Sequence, residues 1–131
     1  MGRYQVILLD TSAVVYATVD SAKLSVRAMQ AIEQADQIFI SSISIWEIGL
    51  KVNQRKLILP LSVQELVTRL KEIKRVAIVP VTEITWLKNV DLEWSHKDPA
   101  DRTIVATALL LSCPLVSNDS RIQQFYPQTL W

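Results

Sequence analysis

The sequence has 131 residues, of which 50% are hydrophobic and 21% are charged, with a formal net charge of +1; these values predict one globular domain over residues 1–131 and exclude a disordered chain. No apolar run reaches the about 18 residues of a membrane span, and none near the N-terminus reaches the about 7 to 15 of a secretory signal, so we expect a cytoplasmic protein. A single cysteine (Cys113), a single histidine (His96) and two glycines exclude intrachain disulfides, cysteine-based zinc sites and glycine-rich nucleotide-binding loops.

Strand-like and helix-like segments alternate along the chain. Short apolar runs rich in β-branched residues predict strands, and apolar residues at helical spacing behind Ser, Thr or Asp predict helices. In chain order the predicted elements are strand 4–9, helix 13–19, helix 25–35, strand 37–40, helix 44–54, helix 62–73, strand 76–79, helix 82–90, helix 98–113, strand 115–117 and helix 119–124. Strands separated by helix-length crossovers favour a parallel sheet covered on both faces. The predicted fold is therefore α/β, a three-layer α/β/α sandwich with a central parallel sheet.

Capping signals mark two of the helix starts. Ser44 with Glu47 has the form of a capping box, in which a serine and a glutamate three residues later satisfy free backbone N–H groups. Asp98 followed by Pro99 predicts an N-cap with proline at the first helical position. The first signal places Glu47 in the first turn of its helix, and the second places Asp101 in the first turn of the helix that follows Asp98.

Acidic residues fall where a parallel sheet binds ligands, at the carboxyl ends of its strands. Asp10 directly follows the first strand and Asp119 follows the strand 115–117. The helix starts that carry Glu47 and Asp101 can face the same edge. Carboxylates gathered there repel one another unless a cation neutralises them, and an all-oxygen ligand set suits Mg²⁺ or Mn²⁺. Such metals act mainly on phosphates, which favours phosphodiester hydrolysis.

Each of these acids also has a plainer interpretation when taken alone. Glu47 and Asp101 can serve their own helix starts, through a capping box or the helix dipole. Asp10 and Asp119 can be ordinary turn or N-cap residues. The metal-site prediction therefore depends on the four acids meeting at one edge.

Charge is distributed unevenly along the sequence. Residues 51–75 contain seven basic residues against two acidic ones. A basic segment beside an acidic remainder predicts that a polyanion is held at one place while carboxylates gather at another. The alternative is a solvated helix surface.

Four sequence strings resemble, in order and spacing, the PIN-domain family and more closely the VapC-type ribonuclease toxins of prokaryotic toxin–antitoxin pairs. The resemblance extends from about residue 6 to residue 126. The strings are Leu8-Leu9-Asp10-Thr11-Ser12, Ser41-x-x-Ser44-x-Trp46-Glu47-Ile48, His96-x-Asp98-Pro99-x-Asp101-Arg102-x-Ile104-Val105-Ala106 and Leu115-Val116-Ser117-Asn118-Asp119.

This resemblance implies the same α/β/α sandwich and a set of four acidic site residues. They are Asp10, Glu47, Asp101 and Asp119. In the family these positions imply binding of Mg²⁺ or Mn²⁺ and hydrolysis of RNA. The resemblance also implies a homodimer and a co-encoded antitoxin that inhibits the enzyme.

Other residues of the strings receive supporting roles. Thr11, Ser117 and Asn118 match polar positions that support the acids in the family. Asp98 is a further acid beside the four, interpreted mainly as an N-cap, with an auxiliary metal contact as the alternative. His96 is left out of the catalytic set, because a metal-activated water needs no general base.

Basic residues near the predicted site are candidates for guiding RNA, since phosphate neutralisation gives affinity without sequence choice. They are Lys51, Arg55, Lys56 and Arg102. For Arg102, binding a phosphate and pairing with an acid both stay open.

Two other functions remain open on the sequence alone. Asp10 at the end of a first strand is compatible with an aspartate-dependent phosphatase or phosphotransferase, although position 12 is Ser12 and not a second aspartate. The chain could also be a non-catalytic RNA- or antitoxin-binding module whose acids are only caps.

Overall fold

The computed structural model describes residues 5–131, so Tyr4, at the start of the first predicted strand, lies outside the described residues. The elements, in chain order, are β1 (Val6–Leu9), α1 (Thr11–Val19), a 3₁₀ turn (Ser21–Lys23), α2 (Val26–Gln34), β2 (Gln37–Ser41), α3 (Ser42–Asn53), α4 (Val63–Glu72), β3 (Val76–Val79), α5 (Glu83–Asp91), α6 (Pro99–Leu111), β4 (Leu115–Val116), α7 (Ser120–Phe125) and β5 (Thr129–Leu130). The 3₁₀ turn and β5 have no counterpart among the predicted elements.

The sheet contains the five strands in the order β3-β2-β1-β4-β5, and every neighbouring pair is parallel. The chain places β2 and β3 on one side of β1 and then places β4 and β5 on the other side, so the order of the strands reverses between β1 and β4. In open α/β sheets, ligands bind outside the carboxyl ends of the strands at such a reversal. The ends of β1 and β4 are therefore the place to look for a site.

The core lies on both faces of this sheet, as the period of two along a strand requires. In β1, Ile7 and Leu9 belong to a buried cluster with residues of α1 to α4. Leu8, between them, belongs to a second cluster with residues of α6 and α7. Helices thus cover both faces of the sheet, and the predicted three-layer α/β/α sandwich is confirmed.

The start of α3 differs from the prediction. Ser41, at the end of β2, is its N-cap, and the Ser41 side chain accepts a hydrogen bond from the Ile43 backbone N–H. Ser44 is instead fully buried, and its Oγ accepts a hydrogen bond from the Thr11 hydroxyl at 2.9 Å. The helix begins two residues earlier than predicted, so Glu47 lies in its second turn and not in a capping box.

The start of α6 follows the prediction. Asp98 is the N-cap and its side chain accepts a hydrogen bond from the Asp101 backbone N–H, with proline at the first helical position. The helix ends at Leu111, two residues before the predicted end, because Ser112 adopts a left-handed conformation with φ of 52°.

No helix in the described part of the chain is long and apolar enough to span a membrane.

Candidate active site

Two of the predicted site acids follow neighbouring strands and cap the helices that come next. Oδ1 of Asp10, directly after β1, accepts a hydrogen bond of 2.8 Å from the Ala13 backbone N–H at the start of α1. Oδ1 of Asp119, three residues after β4, accepts one of 2.8 Å from the Arg121 N–H at the start of α7. Because β1 and β4 are adjacent, both carboxylates lie at the reversal point of the sheet.

The other two acids reach this edge from helices. Asp101 is in the first turn of α6, where the cap at Asp98 fixes its backbone. Glu47 is in the second turn of α3, and its Oε2 lies 3.8 Å from Nζ of Lys51, one turn further along the helix. The side chains of Glu47 and Asp101 are 16% and 20% exposed, so both remain open to a ligand.

All four acids line a single cavity of about 290 Å³, which we call the acid cavity. Its lining residues are Asp10, Thr11, Ser12, Tyr16, Glu47, Lys51, Asp98, Asp101, Asn118 and Asp119. The structure therefore brings together the four acids that the sequence strings predicted as site residues. Among residues 5–131, Lys51 supplies the one basic side chain of this lining.

Electrostatics in the acid cavity oppose ionisation. The pKa of Asp10 is raised from 3.8 to about 6, mainly by burial and to a smaller extent by the charges of Asp101 and Asp119, against hydrogen bonds from Ser117 and Ala13 that lower it. Burial also raises the pKa of Asp101, with Asp98 and Asp119 adding to the rise and a hydrogen bond from His96 opposing it. These shifts are those expected of carboxylates sharing one partly buried site.

Ser117 and Thr11 support the site in different ways. The fully buried Ser117 hydroxyl bonds to the Asp10 carboxylate, and its Oγ accepts a hydrogen bond of 3.1 Å from the Asp119 N–H. Ser117 thus ties the two strand-end acids together. Thr11 donates to Ser44 and so links α1 to α3. Asn118 is exposed and lines the acid cavity.

His96, which sequence analysis left out of the site, contacts one of the site acids. Its Nε2 lies 2.7 Å from Oδ2 of Asp101, and its side chain is only 9% exposed. The His96 ring packs against Trp94 with ring centroids 4.9 Å apart. Its presence in the same string as Asp101 was the available signal, but a five-residue separation through a loop predicts no contact.

The prediction that Arg102 guides RNA needs correction. Its guanidinium donates to the backbone carbonyls of Asn89, Leu92, Trp94 and His96 and to the Asn89 side chain. These five hydrogen bonds use all five guanidinium N–H donors. Arg102 therefore holds the connection between α5 and α6 and has no donor left for a phosphate.

The remaining basic candidates lie at and beyond the end of α3. Lys51 lines the acid cavity, as described above. Arg55 and Lys56 are exposed, and Arg55 adopts a left-handed backbone conformation with φ of 58° at the turn that follows the helix. A role for these three residues in guiding RNA stays a prediction.

The donor set of the acid cavity fits a hard divalent cation in its chemistry. Carboxylate, hydroxyl and amide oxygens are the ligands that Mg²⁺ and Mn²⁺ prefer. The pKa of Asp10 is raised by its burial and by the nearby charges of Asp101 and Asp119, and a bound cation would favour the ionised carboxylate against both. Across residues 5–131, no three acidic, histidine or cysteine side chains already stand close enough together to ligate one ion. The carboxylates would therefore have to move toward a bound cation.

An acid-lined cavity at the reversal point of a parallel sheet, within an α/β/α sandwich, is an arrangement suited to hydrolysis of phosphodiesters. A sequence profile described as the PIN domain matches residues 7–126. The chain belongs to the PIN-domain family.

Similarity to individual proteins extends over nearly the whole chain. It is 33% identical over 130 residues to Ribonuclease VapC22 of Mycobacterium tuberculosis, which covers 95% of this chain and 98% of that protein. A toxin–antitoxin complex from Klebsiella pneumoniae has a TM-score of 0.65 at 23% identity over 94% of both chains. VapBC2 from Rickettsia felis, bound to a promoter DNA fragment, has a TM-score of 0.66 at 17% identity over 97% of this chain and 100% of that one. These two structures share the fold.

Proposed function

We propose that the chain is an endoribonuclease that depends on Mg²⁺ or Mn²⁺, and that it is the toxin of a toxin–antitoxin pair. The observation that carries this proposal is the acid cavity, which the four candidate ligand acids line together from four separate segments of the chain. A divalent cation relieves their mutual repulsion and attracts the phosphate of a polyanionic substrate.

In this proposal Asp10, Glu47, Asp101 and Asp119 would hold the cation. When bound, Mg²⁺ or Mn²⁺ polarises a phosphoryl oxygen and lowers the pKa of a bound water. The chain's own residues orient the carboxylates for this task. Ser117 bonds to Asp10, and the cap at Asp98 holds the first turn of α6. Lys51 places a positive charge in the cavity lining, where a phosphate oxygen can meet it.

RNA as the substrate and an antitoxin as the partner are supported by the relatives. The Mycobacterium protein is named a ribonuclease, and the Klebsiella structure is a toxin–antitoxin complex. We therefore propose that the chain cleaves RNA and that a cognate antitoxin protein inhibits it. We also propose that it acts in the cytoplasm, where it encounters both the RNA and the antitoxin.

The test is cleavage of defined RNAs, tRNAs included, by the purified protein with Mg²⁺, with Mn²⁺ or with EDTA. Asp101→Asn, prepared identically, controls for contaminating nuclease because the substitution keeps the shape and removes the charge. We expect the wild type to cleave RNA with either metal. The cleavage rate should fall by about a hundredfold or more in the variant and in EDTA, because a metal stabilises the transition state by several kcal/mol.

Two results would contradict this function. Equal cleavage by wild type and Asp101→Asn would leave the acids as structural caps. Turnover of small phosphate monoesters by the wild type without cleavage of any RNA would favour the phosphatase reading, with Asp10 and Ser12 as the residues to examine next.

We also propose that the chain forms a homodimer through α5. Ile84, Leu87 and Val90 are 59%, 66% and 75% exposed, and their three-residue spacing places them along one side of the helix. Apolar side chains aligned in this way are typical of interaction surfaces.

Sedimentation of the wild type and Leu87→Glu tests this interface. We expect a dimeric wild type and a monomeric variant, because a charge at the centre of an apolar interface is strongly unfavourable. Val26→Glu, at another highly exposed apolar position on α2, is the matched control and should remain dimeric. A wild type that stays monomeric at micromolar concentration would end this proposal.

A further inference from the structure

In the described part of the chain, His96 is the basic side chain in closest contact with the acids of the proposed metal site. We infer that His96 is a positioning residue for Asp101: it holds one carboxylate oxygen so that the other is presented to the acid cavity. This inference rests on the proposed function, because it concerns how one of the proposed ligands is prepared for the cation.

The direction of the hydrogen bond follows from the chemistry of its two partners. An ionised carboxylate only accepts hydrogen bonds, so Nε2 of His96 is the donor to Oδ2 of Asp101, and a neutral ring with its proton on Nε2 is sufficient. At 2.7 Å the bond has the length of a charge-assisted one. One oxygen of Asp101 is thereby fixed.

The His96 ring is itself immobilised. It packs against Trp94, which in turn stacks on Phe125 with ring centroids 4.6 Å apart and planes 10° from parallel. The His96 carbonyl accepts a hydrogen bond of 3.1 Å from Nη1 of Arg102. Both the ring and the backbone of His96 are therefore held, which is what a residue that orients another side chain requires.

His96 acts from outside the acid cavity. Within residues 5–131 the lining of that cavity includes Asp101 but not His96, which lines a separate cavity with Trp94 and Phe125. Phe125 belongs to α7, the helix that Asp119 caps. The aromatic stack thus connects the supports of two proposed ligands, and His96 reaches the site only through Asp101.

Three variants separate the hydrogen bond from the packing. His96→Phe keeps a flat ring against Trp94 but removes the donor, whereas His96→Gln keeps an N–H donor at a similar reach. Ser95→Ala, at the exposed neighbouring position, is the matched control. Each is compared with the wild type and Asp101→Asn for Mn²⁺ affinity by calorimetry, for folding by circular dichroism, and for RNA cleavage.

We expect His96→Phe to weaken Mn²⁺ binding about tenfold or more, the usual effect of removing a hydrogen-bond partner of a metal ligand. His96→Gln should recover most of the affinity, and Ser95→Ala should match the wild type. In cleavage, His96→Phe should lower kcat more than it raises the KM for RNA, because His96 does not line the acid cavity and contacts it only through Asp101.

Two outcomes would overturn the role of His96 alone: a folded His96→Phe that binds Mn²⁺ as tightly as the wild type, or a His96→Gln as defective as His96→Phe, which would indicate packing. A wild type that binds no Mn²⁺ and cuts no RNA would instead refute the proposed function, and the positioning role with it. The wild-type and Asp101→Asn arms therefore tell the two failures apart.

Discussion

Asp10 has two roles that oppose each other. Its carboxylate caps α1 through the Ala13 N–H, which stabilises the helix start. The same carboxylate is buried beside Asp101 and Asp119, and its pKa is raised to about 6. Ionised Asp10 is therefore unfavourable in the folded chain when no cation is present.

This conflict predicts how stability depends on pH. Because the pKa of Asp10 is higher in the folded chain than the ordinary 3.8, its contribution to stability is complete below pH 3.8 and is lost as the pH rises through about 6. The difference corresponds to roughly 3 kcal/mol. We expect metal-free Asp10→Asn to melt at a higher temperature than the wild type near neutral pH and to lose activity.

Thermal melts of both proteins between about pH 4 and pH 8 in EDTA check this expectation. The two curves should converge toward acid pH, where Asp10 is protonated. Parallel curves would mean that Asp10 keeps an ordinary pKa in the folded chain.

Arg102 is a residue whose replacement by lysine is not conservative here. Five donors of the planar guanidinium reach carbonyl groups of the chain between α5 and α6 and the Asn89 side chain. A lysine has three donors at one point and leaves several of these acceptors unpaired. We expect Arg102→Lys to lower the free energy of unfolding by about 2 to 3 kcal/mol.

Urea denaturation measures this loss. Arg121→Lys is the matched control, because Arg121 is 63% exposed and only 3.6 Å from Asp119, a pair worth about 0 to 1 kcal/mol. If Arg102→Lys and Arg121→Lys were equally stable, the carbonyl network would contribute little.

At the scale of elements, the start of α6 decides where Asp101 points. The Asp98 side chain accepts a hydrogen bond from the Asp101 backbone N–H, and proline occupies the first helical position. If Asp98 acts only as a cap, Asp98→Asn should keep both stability and Mn²⁺ affinity, since asparagine caps as well as aspartate, whereas Asp98→Ala should lose about 1 kcal/mol.

Stability by urea denaturation and Mn²⁺ affinity by calorimetry, measured on both variants, separate the two roles proposed for Asp98. A normally stable Asp98→Asn with weakened Mn²⁺ binding would establish an auxiliary metal contact of Asp98 in addition to its cap.

Elements with local signals were predictable from sequence, and those fixed by distant partners were not. The bounds of β3 were predicted correctly because three of the four residues of Val76–Val79 are β-branched. β5 has two residues and exists only through its pairing with β4. The start of α3 was misplaced because Ser41 and Ser44 both suit an N-cap. The ladder between Ser41 and Val79 extends β2 up to the helix and decides between them.

The acid set of the candidate site was predictable for the same reason, and its neighbours were not. Asp10 follows β1 directly and Asp119 comes three residues after β4, so the position of each strand locates its acid. The contacts of His96 and Arg102 depend on how the loop between α5 and α6 folds back on itself, and no periodicity in the sequence encodes that path.

At the scale of the whole molecule, charge is divided between the acid cavity and a basic region beside it. Lys51 lines the cavity, and the exposed Arg55 and Lys56 follow at the end of the same helix. Lys71 and Lys74 are also exposed, but they come just before β3, toward the opposite, amino edge of the sheet. The molecule therefore offers two pairs of equal charge, one near the site and one remote from it.

This arrangement predicts which basic side chains contact RNA. Removing two phosphate contacts to a single strand should reduce the slope of log Kd against log salt by about 1.4. We expect that change, with weaker binding, for Arg55→Ala/Lys56→Ala and little change for Lys71→Ala/Lys74→Ala. Fluorescence anisotropy of a labelled single-stranded RNA in EDTA, from about 50 to 200 mM salt, measures both slopes. Equal slopes for the two double variants would show that RNA follows general charge, whereas a shallower slope only for Lys71→Ala/Lys74→Ala would move the RNA path to the amino edge.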